Sequence, residues 1–281
     1  MAKFKEKAMN VVFFLTACVS IAAVAIICLF LLGQGIPTIA EIGVGNFFGK
    51  VWKPAQGMYG ILPFIVGSLY VTAGAIVVGV PIGVLCAVYL AYFCPKQLYT
   101  ILHPAVELMA GIPSIIFGFF GLTVMVPMLQ KLTGSSGKGW LTASLLLGFM
   151  ILPTIITTVE TSIRAVPRSY YEGSLALGAT HERSTFSAVL PAAKSGVMSG
   201  VILGIGRAIG EAMAVNMVAG NQTMMPGGLL DGLRTMTSHI VVELGYASGL
   251  HRQALVATGV VLFVFILIIN TCFNLLKRRE A

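Results

Sequence analysis

From Val11 to Leu32, and again from Gly60 to Phe93, the chain carries no charged residue. A helix needs roughly 20 apolar residues to cross a ~30 Å hydrocarbon layer, and these runs are that long or longer. Lipid offers no partner for backbone N–H and C=O groups, so only helices or a closed barrel can span it. Barrel strands alternate polar and apolar over about ten residues, which these runs do not. The expected fold is therefore an all-α integral membrane protein. Composition agrees: 10% of the 281 residues are charged, with mean hydropathy +0.93, where a soluble domain has about a quarter charged. The net charge of +8 is no nucleic-acid signature here; its placement bears on topology. Cys18, Cys28, Cys86, Cys94 and Cys272 lie in or beside apolar segments without disulfide or metal spacing, and read as small apolar residues.

Lys3, Lys5 and Lys7 precede the first run. A signal peptide has that charge order but a shorter apolar region, so Val11–Leu32 reads as an uncleaved first span. An outer loop follows to residue 58. Residues 1–58 thus form an N-terminal helix and loop, and 59–281 the main body. At ~1.5 Å per residue the run from Gly60 to Phe93 would reach about 50 Å. It is one bent helix, broken by Gly79, Pro81 and Gly83, or two spans. One span places eleven Lys/Arg inside (Lys3, Lys5, Lys7, Lys96, Arg164, Arg168, Arg183, Lys194, Lys277, Arg278, Arg279). Six then lie outside (Lys50, Lys53, Lys131, Lys138, Arg234, Arg252). Two spans would reverse everything downstream, and the cytoplasmic excess of basic residues favours one. Further spans are expected at His103–Leu129 (kinked or broken at Pro113), Trp140–Ile163, Ser195–Ala219 and Ala254–Leu276. That makes six transmembrane helices with both termini cytoplasmic. Residues 220–252 form an outer loop, helical through Val241 and Val242.

Arg164 to Lys194 is a long polar interruption between two apolar spans. Ser169 and Glu172 have the spacing of a capping box. Gly178 is placed to stop a first short helix and Thr180 to cap a second, running to about Val189. Leu190–Pro191 then ends the unit. Gly173, Ser174, Ala176, Gly178 and Ala179 keep the first helix small-sided. An ordinary helical hairpin and a docking element fit this pattern equally.

In the fifth span Gly196, Gly200, Gly204, Ala208 and Ala212 recur every fourth residue, a seam that lets another helix approach closely. Arg207 and Glu211 lie beside it at i and i+4, about halfway across, where unpaired charges cost several kcal/mol. They form either an ion pair that fixes packing or a polar site on a translocation path. A guanidinium fork suits an oxyanion. Glu211 can also accept a hydrogen bond from a protonated oxyanion such as phosphate, which sulfate cannot supply. Glu107 reads as interfacial, and Glu160 as facing cytoplasm or Arg164. Asn216 and Asn221 extend the polar line or cap the helix. The four histidines are dispersed, so no metal site is expected. No phosphate loop, HExxH or Ser/His/Asp arrangement marks a nucleotide site or a hydrolase.

Glu172, Gly178, Leu190 and Pro191 have the spacing of the EAA motif of binding-protein-dependent ABC importer permeases, with Gly173 and Ser174 in place of the two alanines. With GIPSIIFGFFGL at 111–122 and GRAIGEAMAVNMVAGN at 206–221, the chain resembles the phosphate importer permeases, most closely the PstC-type subunit. The resemblance implies a type I (MetI-like) permease of the bacterial inner membrane that binds no cofactor itself. ATP and Mg would be used by a cytoplasmic ATPase dimer. Tyr171, Glu172, Gly173, Ser174, Leu175, Gly178, Ala179, Leu190 and Pro191 would form the coupling surface for that ATPase. Arg207 and Glu211 would line the phosphate path, and Gly196, Gly200, Gly204 and Ala208 would pack helices. A PstA-type second permease and a periplasmic phosphate-binding protein would complete the assembly. A permease for sulfate, molybdate or phosphonate and an ion-coupled secondary carrier stay open.

Overall fold

The structure is a computed structural model describing residues 2–279. The terminal side chains counted for orientation (Lys3, Lys5, Lys7, Lys277, Arg278, Arg279) lie outside its described side chains. The chain is almost wholly helical. Helix α1 spans Ala2–Ile42 and is followed by a short α2 at Val44–Phe47. Strands β1 (Trp52–Lys53) and β2 (Met58–Tyr59) pair as a small antiparallel hairpin. Then come α3 (Leu62–Val88), α4 (Lys96–Gly111), α5 (Ser114–Phe120), α6 (Val126–Thr133) and α7 (Trp140–Arg164). The polar loop holds α8 (Arg168–Ala176), α9 (His181–Ser184) and α10 (Leu190–Ala192). Finally come α11 (Lys194–Gly210), α12 (Met213–Val218), α13 (Met236–Leu244) and α14 (Gly249–Arg279). Five helical stretches among the described residues are long and apolar enough to cross a membrane, or six if the bent pair His181–Ala192 and Lys194–Gly210 is one span.

Helix α7 is the axis of the bundle. Ala143, Leu146, Leu147, Met150, Ile151, Ile155 and Val159 are all buried, because glycine faces of α3 and α11 close on it from two sides. A Cβ on Gly79 would lie 2.7 Å from Ile151 Cδ1, and one on Gly200 2.7 Å from Val159 Cγ2. Removing those side chains lets the backbones approach, and close packing, not water exclusion, drives association in lipid. A second core joins Phe47, Trp52, Tyr59, Ile61, Phe64 and Met236 to the first turns of α14.

Several expectations need correction. The first helix runs ten residues past Leu32, through Pro37, because its second half packs on α14: a Cβ on Gly35 would collide with Val260. Thr38 Oγ1 donates back to Gln34 O at 2.8 Å, the i−4 bond common to a helical threonine. The run 60–93 is one helix, as the charge count favours, and it ends in a π turn at Tyr89–Phe93. The third span does not begin at His103. Helix α4 is separate and has no buried residue, and the span starts after Pro113, at Ser114–Thr133. The fifth span is interrupted at Glu211.

In the polar loop, Pro167 takes the N-cap of α8 in extended conformation, so Ser169 falls inside the helix and forms no capping box with Glu172. Thr180 does cap α9, accepting from Arg183 N at 3.3 Å. Gly178 has φ +85°, the left-handed geometry that ends a helix cheaply only at glycine. Leu190–Pro191 does not end the unit. Pro191 lies inside the helical stretch His181–Ala192, just after its π turn at Thr185–Val189, and the chain bends by 73° where α11 begins.

Candidate functional site

Two helices in the bundle are broken, and they break alike. Helix α4 stops at Ile112 (φ −71°, ψ 125°), whose N–H reaches Met109 O at 3.3 Å. Helix α11 stops at Glu211 (φ −71°, ψ 124°), whose N–H reaches Ala208 O at 3.3 Å. The segments beyond the breaks pack on each other: a Cβ on Gly118 of α5 would lie 2.9 Å from Ala214 Cα of α12. Non-helical backbone at membrane depth persists only where protein or a wet cavity covers it.

Arg207 and Glu211 flank the second break. Because the helix ends between them, they do not meet as an i,i+4 pair. Arg207 Nη1 donates to Thr154 Oγ1 of α7 at 3.2 Å. Glu211 Oε1 accepts from Ala214 N at 3.0 Å, and its backbone O accepts from Thr237 Oγ1 at 2.8 Å. Both side chains are half-exposed. Among the described residues no ion pair joins them, so the Arg207 charge faces a neutral hydroxyl. Asn221 (φ +52°) donates from Nδ2 to Asn216 O at 2.8 Å and to its Oδ1 at 2.7 Å, closing the end of α12.

The seam lies on α7. Gly196 faces Ser162, Gly200 faces Val159 and Gly204 faces Ile155, and Ala208 is buried beside them. The loop residues lie on a different surface. On α8, Glu172, Gly173 and Leu175 are exposed, as is Gly178, while Tyr171, Ser174 and Ala179 are half-buried. A Cβ on Gly173 would meet nothing within 4 Å. Tyr171 OH lies 2.6 Å from His181 Nδ1, tying α8 to α9. Leu190 is half-buried and Pro191 exposed.

Glu160 faces Arg164, not cytoplasm: it is 2% exposed and accepts from Arg164 Nε at 2.8 Å. Its other oxygen lies 3.3 Å from His103 Nδ1 of α4, and Glu107 lies 3.3 Å from the same imidazole.

The histidines are not all dispersed. His239 and His251 converge on Glu243 in a buried network that sequence reasoning missed. Glu243 accepts from Trp52 Nε1 at 2.9 Å and Arg234 Nη1 at 2.6 Å, and lies 2.7 Å from His251 Nε2. Burial, then the charge of Arg234 and then His251, push the His239 pKa down to about 2. The available signal was His239 and Glu243 at helical spacing, with Arg234 just ahead of them, in a loop otherwise poor in charge. No group of three or more His, Cys, Asp or Glu among the described residues is placed to hold a metal.

Residues 79–280 match the family described as binding-protein-dependent transport system inner membrane component. The chain is 36% identical over 269 residues to the probable ABC transporter permease protein YqgH of Bacillus subtilis, covering 91% of this chain and 87% of that one. It is 34% identical over 265 residues to the phosphate transport system permease protein PstC of Mesorhizobium japonicum, covering 86% and 81%. Among solved structures, an inward-facing MetNI methionine ABC transporter chain aligns with TM-score 0.64 and 20% identity, over 82% of this chain and all of that one. A bacterial alginate ABC transporter chain aligns with TM-score 0.66 and 15% identity, over 95% and 94%. Helix order, broken spans and sequence agree: this chain is a multi-pass membrane protein belonging to the family of binding-protein-dependent transport system inner membrane components.

Proposed function

We propose that the chain is the PstC-type permease subunit of an ATP-driven phosphate importer and forms part of the path for inorganic phosphate. The observation that carries this is Arg207: a half-exposed guanidinium beside a helix break, held by one neutral hydroxyl and, among the described residues, in no ion pair. Such a group gives an oxyanion charge-assisted bonds and releases it again, since one cation binds modestly. Relatives named as phosphate permeases support the choice of anion.

The exposed face of α8 would dock on a cytoplasmic ATPase, which alone would use ATP and Mg, and would place the Arg164 end of α7 inside the cell. A PstA-type second permease would complete the path, and a periplasmic phosphate-binding protein would deliver phosphate at the opposite end. Closure of the ATPase would act through α8, provided the loop makes different contacts in the two states. Labelled phosphate uptake by cells carrying Arg207→Ala tests the reading. Uptake should fall at least tenfold with the protein still inserted. Normal uptake, or uptake continuing when ATP hydrolysis is blocked, would overturn it.

A further inference from the structure

A second cationic site lies at the Arg164 end of α7. A cavity of about 380 Å³ opens between the end of α3, the end of α7 and α8, with Tyr92, Arg164, Arg168, Tyr171, Glu172 and His181 in its wall. Ten residues separate Arg164 from Thr154, the partner of Arg207, which is ~15 Å along the helix.

We propose that this cavity binds a phosphate group and that its occupant clips α8 to the bundle. Two guanidinium groups from separate elements share one hollow, and both act electrostatically on Tyr92. Like charges brought together are stabilised by an anion between them. Arg164 gives Nε to Glu160 and Nη2 to Leu90 O, both at 2.8 Å. The Arg164 guanidinium also lies over the Tyr99 ring, 4.7 Å from its centroid, while its Nη1 and the Arg168 guanidinium have no hydrogen-bond partner among the described residues. Tyr171 and His181 hold each other at 2.6 Å, so the far wall is fixed before anything binds. The Tyr92 hydroxyl adds a donor.

Glu172 is the only carboxylate in the wall. It is the acceptor that a protonated phosphate oxygen needs and that sulfate cannot use. Free inorganic phosphate and the headgroup of an anionic lipid both bring a phosphate group to this level of the membrane. An occupant would bridge α7 and α8 and so stiffen the loop. Only the side of the membrane rests on the proposed function; the ligand chemistry rests on the cavity wall.

The test uses the full chain in nanodiscs of neutral phosphatidylcholine, titrated calorimetrically with inorganic phosphate. An Arg207→Ala background keeps the path site silent. Phosphate should bind there, more tightly than sulfate. Adding Arg168→Ala should weaken binding tenfold or more, Tyr92→Phe should weaken it less, and Arg168→Lys should recover part of the loss. In nanodiscs containing phosphatidylglycerol, native mass spectrometry reads the lipid source: retained lipid, lost in Arg168→Ala, assigns the site to a headgroup. Phosphate titration and lipid retention both unaffected by Arg168→Ala and by Tyr92→Phe would overturn the proposal. So would loss of all phosphate and lipid binding in Arg207→Ala alone, and that outcome leaves the transport reading intact. Unchanged uptake in Arg207→Ala beside a persisting cavity signal would sink the transport reading instead.

Discussion

The Glu211 carboxylate accepts the backbone N–H of Ala214 at 3.0 Å, so it caps the helix that restarts after it and does not neutralise Arg207. The two charges that look like a pair in sequence have separate tasks. Glu211→Gln keeps a carbonyl oxygen for the cap and should leave thermal stability within about 0.5 kcal/mol. Glu211→Ala removes it and should cost about 1 kcal/mol. The second carboxylate oxygen has no partner among the described residues and can accept from a protonated phosphate. Glu211→Gln should therefore lower the preference for phosphate over sulfate in uptake competition. Unchanged competition would reduce Glu211 to a cap.

Ile155 is pinched between two other helices. A Cβ on Gly83 would lie 2.8 Å from its Cγ2, and one on Gly204 2.7 Å from its Cγ1. Gly204→Leu should force α11 off α7 and cost about 1–3 kcal/mol, read as lost folded protein after detergent extraction. Adding Ile155→Ala opens space on the other side and should restore part of that loss. A double variant no better than the single would mean that the seam is not packed against Ile155.

His239 sets an acid limit on the Glu243 cluster. Its folded pKa, about 2, lies below the ordinary 6.5, so the unfolded chain binds more protons between those values. The neutral histidine contributes its full stability above pH 6.5 and loses it progressively as pH falls toward 2. The slope is at most about 1.4 kcal/mol per pH unit. The melting temperature should drop from pH 7 to pH 5, and His239→Gln should flatten that drop. An equal drop in both would place the acid sensitivity elsewhere.

How much of this was legible depended on how local the cause was. Helices α3, α7 and α14 follow from hydropathy because lipid permits nothing else in such runs. The break at Ile112 was legible because Pro113 announces it. The matching break at Glu211 was not, since the residue on it is a good helix former and its reason is tertiary: Thr237, 26 residues on, takes the freed carbonyl. The Glu243 network was hidden for the same reason, as Trp52 donates to it across 191 residues. The Ser169–Glu172 box had the right spacing and failed because Pro167, not Ser169, takes the N-cap and starts the helix two residues earlier. Arg207 and Glu211 were legible as charges within an apolar run, and the partners each takes, Thr154 and Ala214, were not.

Gly173 and Gly178 separate docking from folding. Gly178 holds φ +85° with nothing within 4 Å, so Gly178→Ala meets no neighbour yet strains the backbone by about 1 kcal/mol or more. It should loosen the link from α8 to α9. Gly173 is ordinary exposed helix with open space around it. Gly173→Ala should therefore stabilise α8 slightly, and Gly173→Leu should fold and insert normally. If α8 is the face that meets the ATPase, Gly173→Leu should still reduce co-purification of the ATPase by at least fivefold, because the bulk stands where close approach is needed. Normal co-purification with Gly173→Leu, beside loss with Gly178→Ala, would show that loop shape matters and that the α8 surface is not the contact.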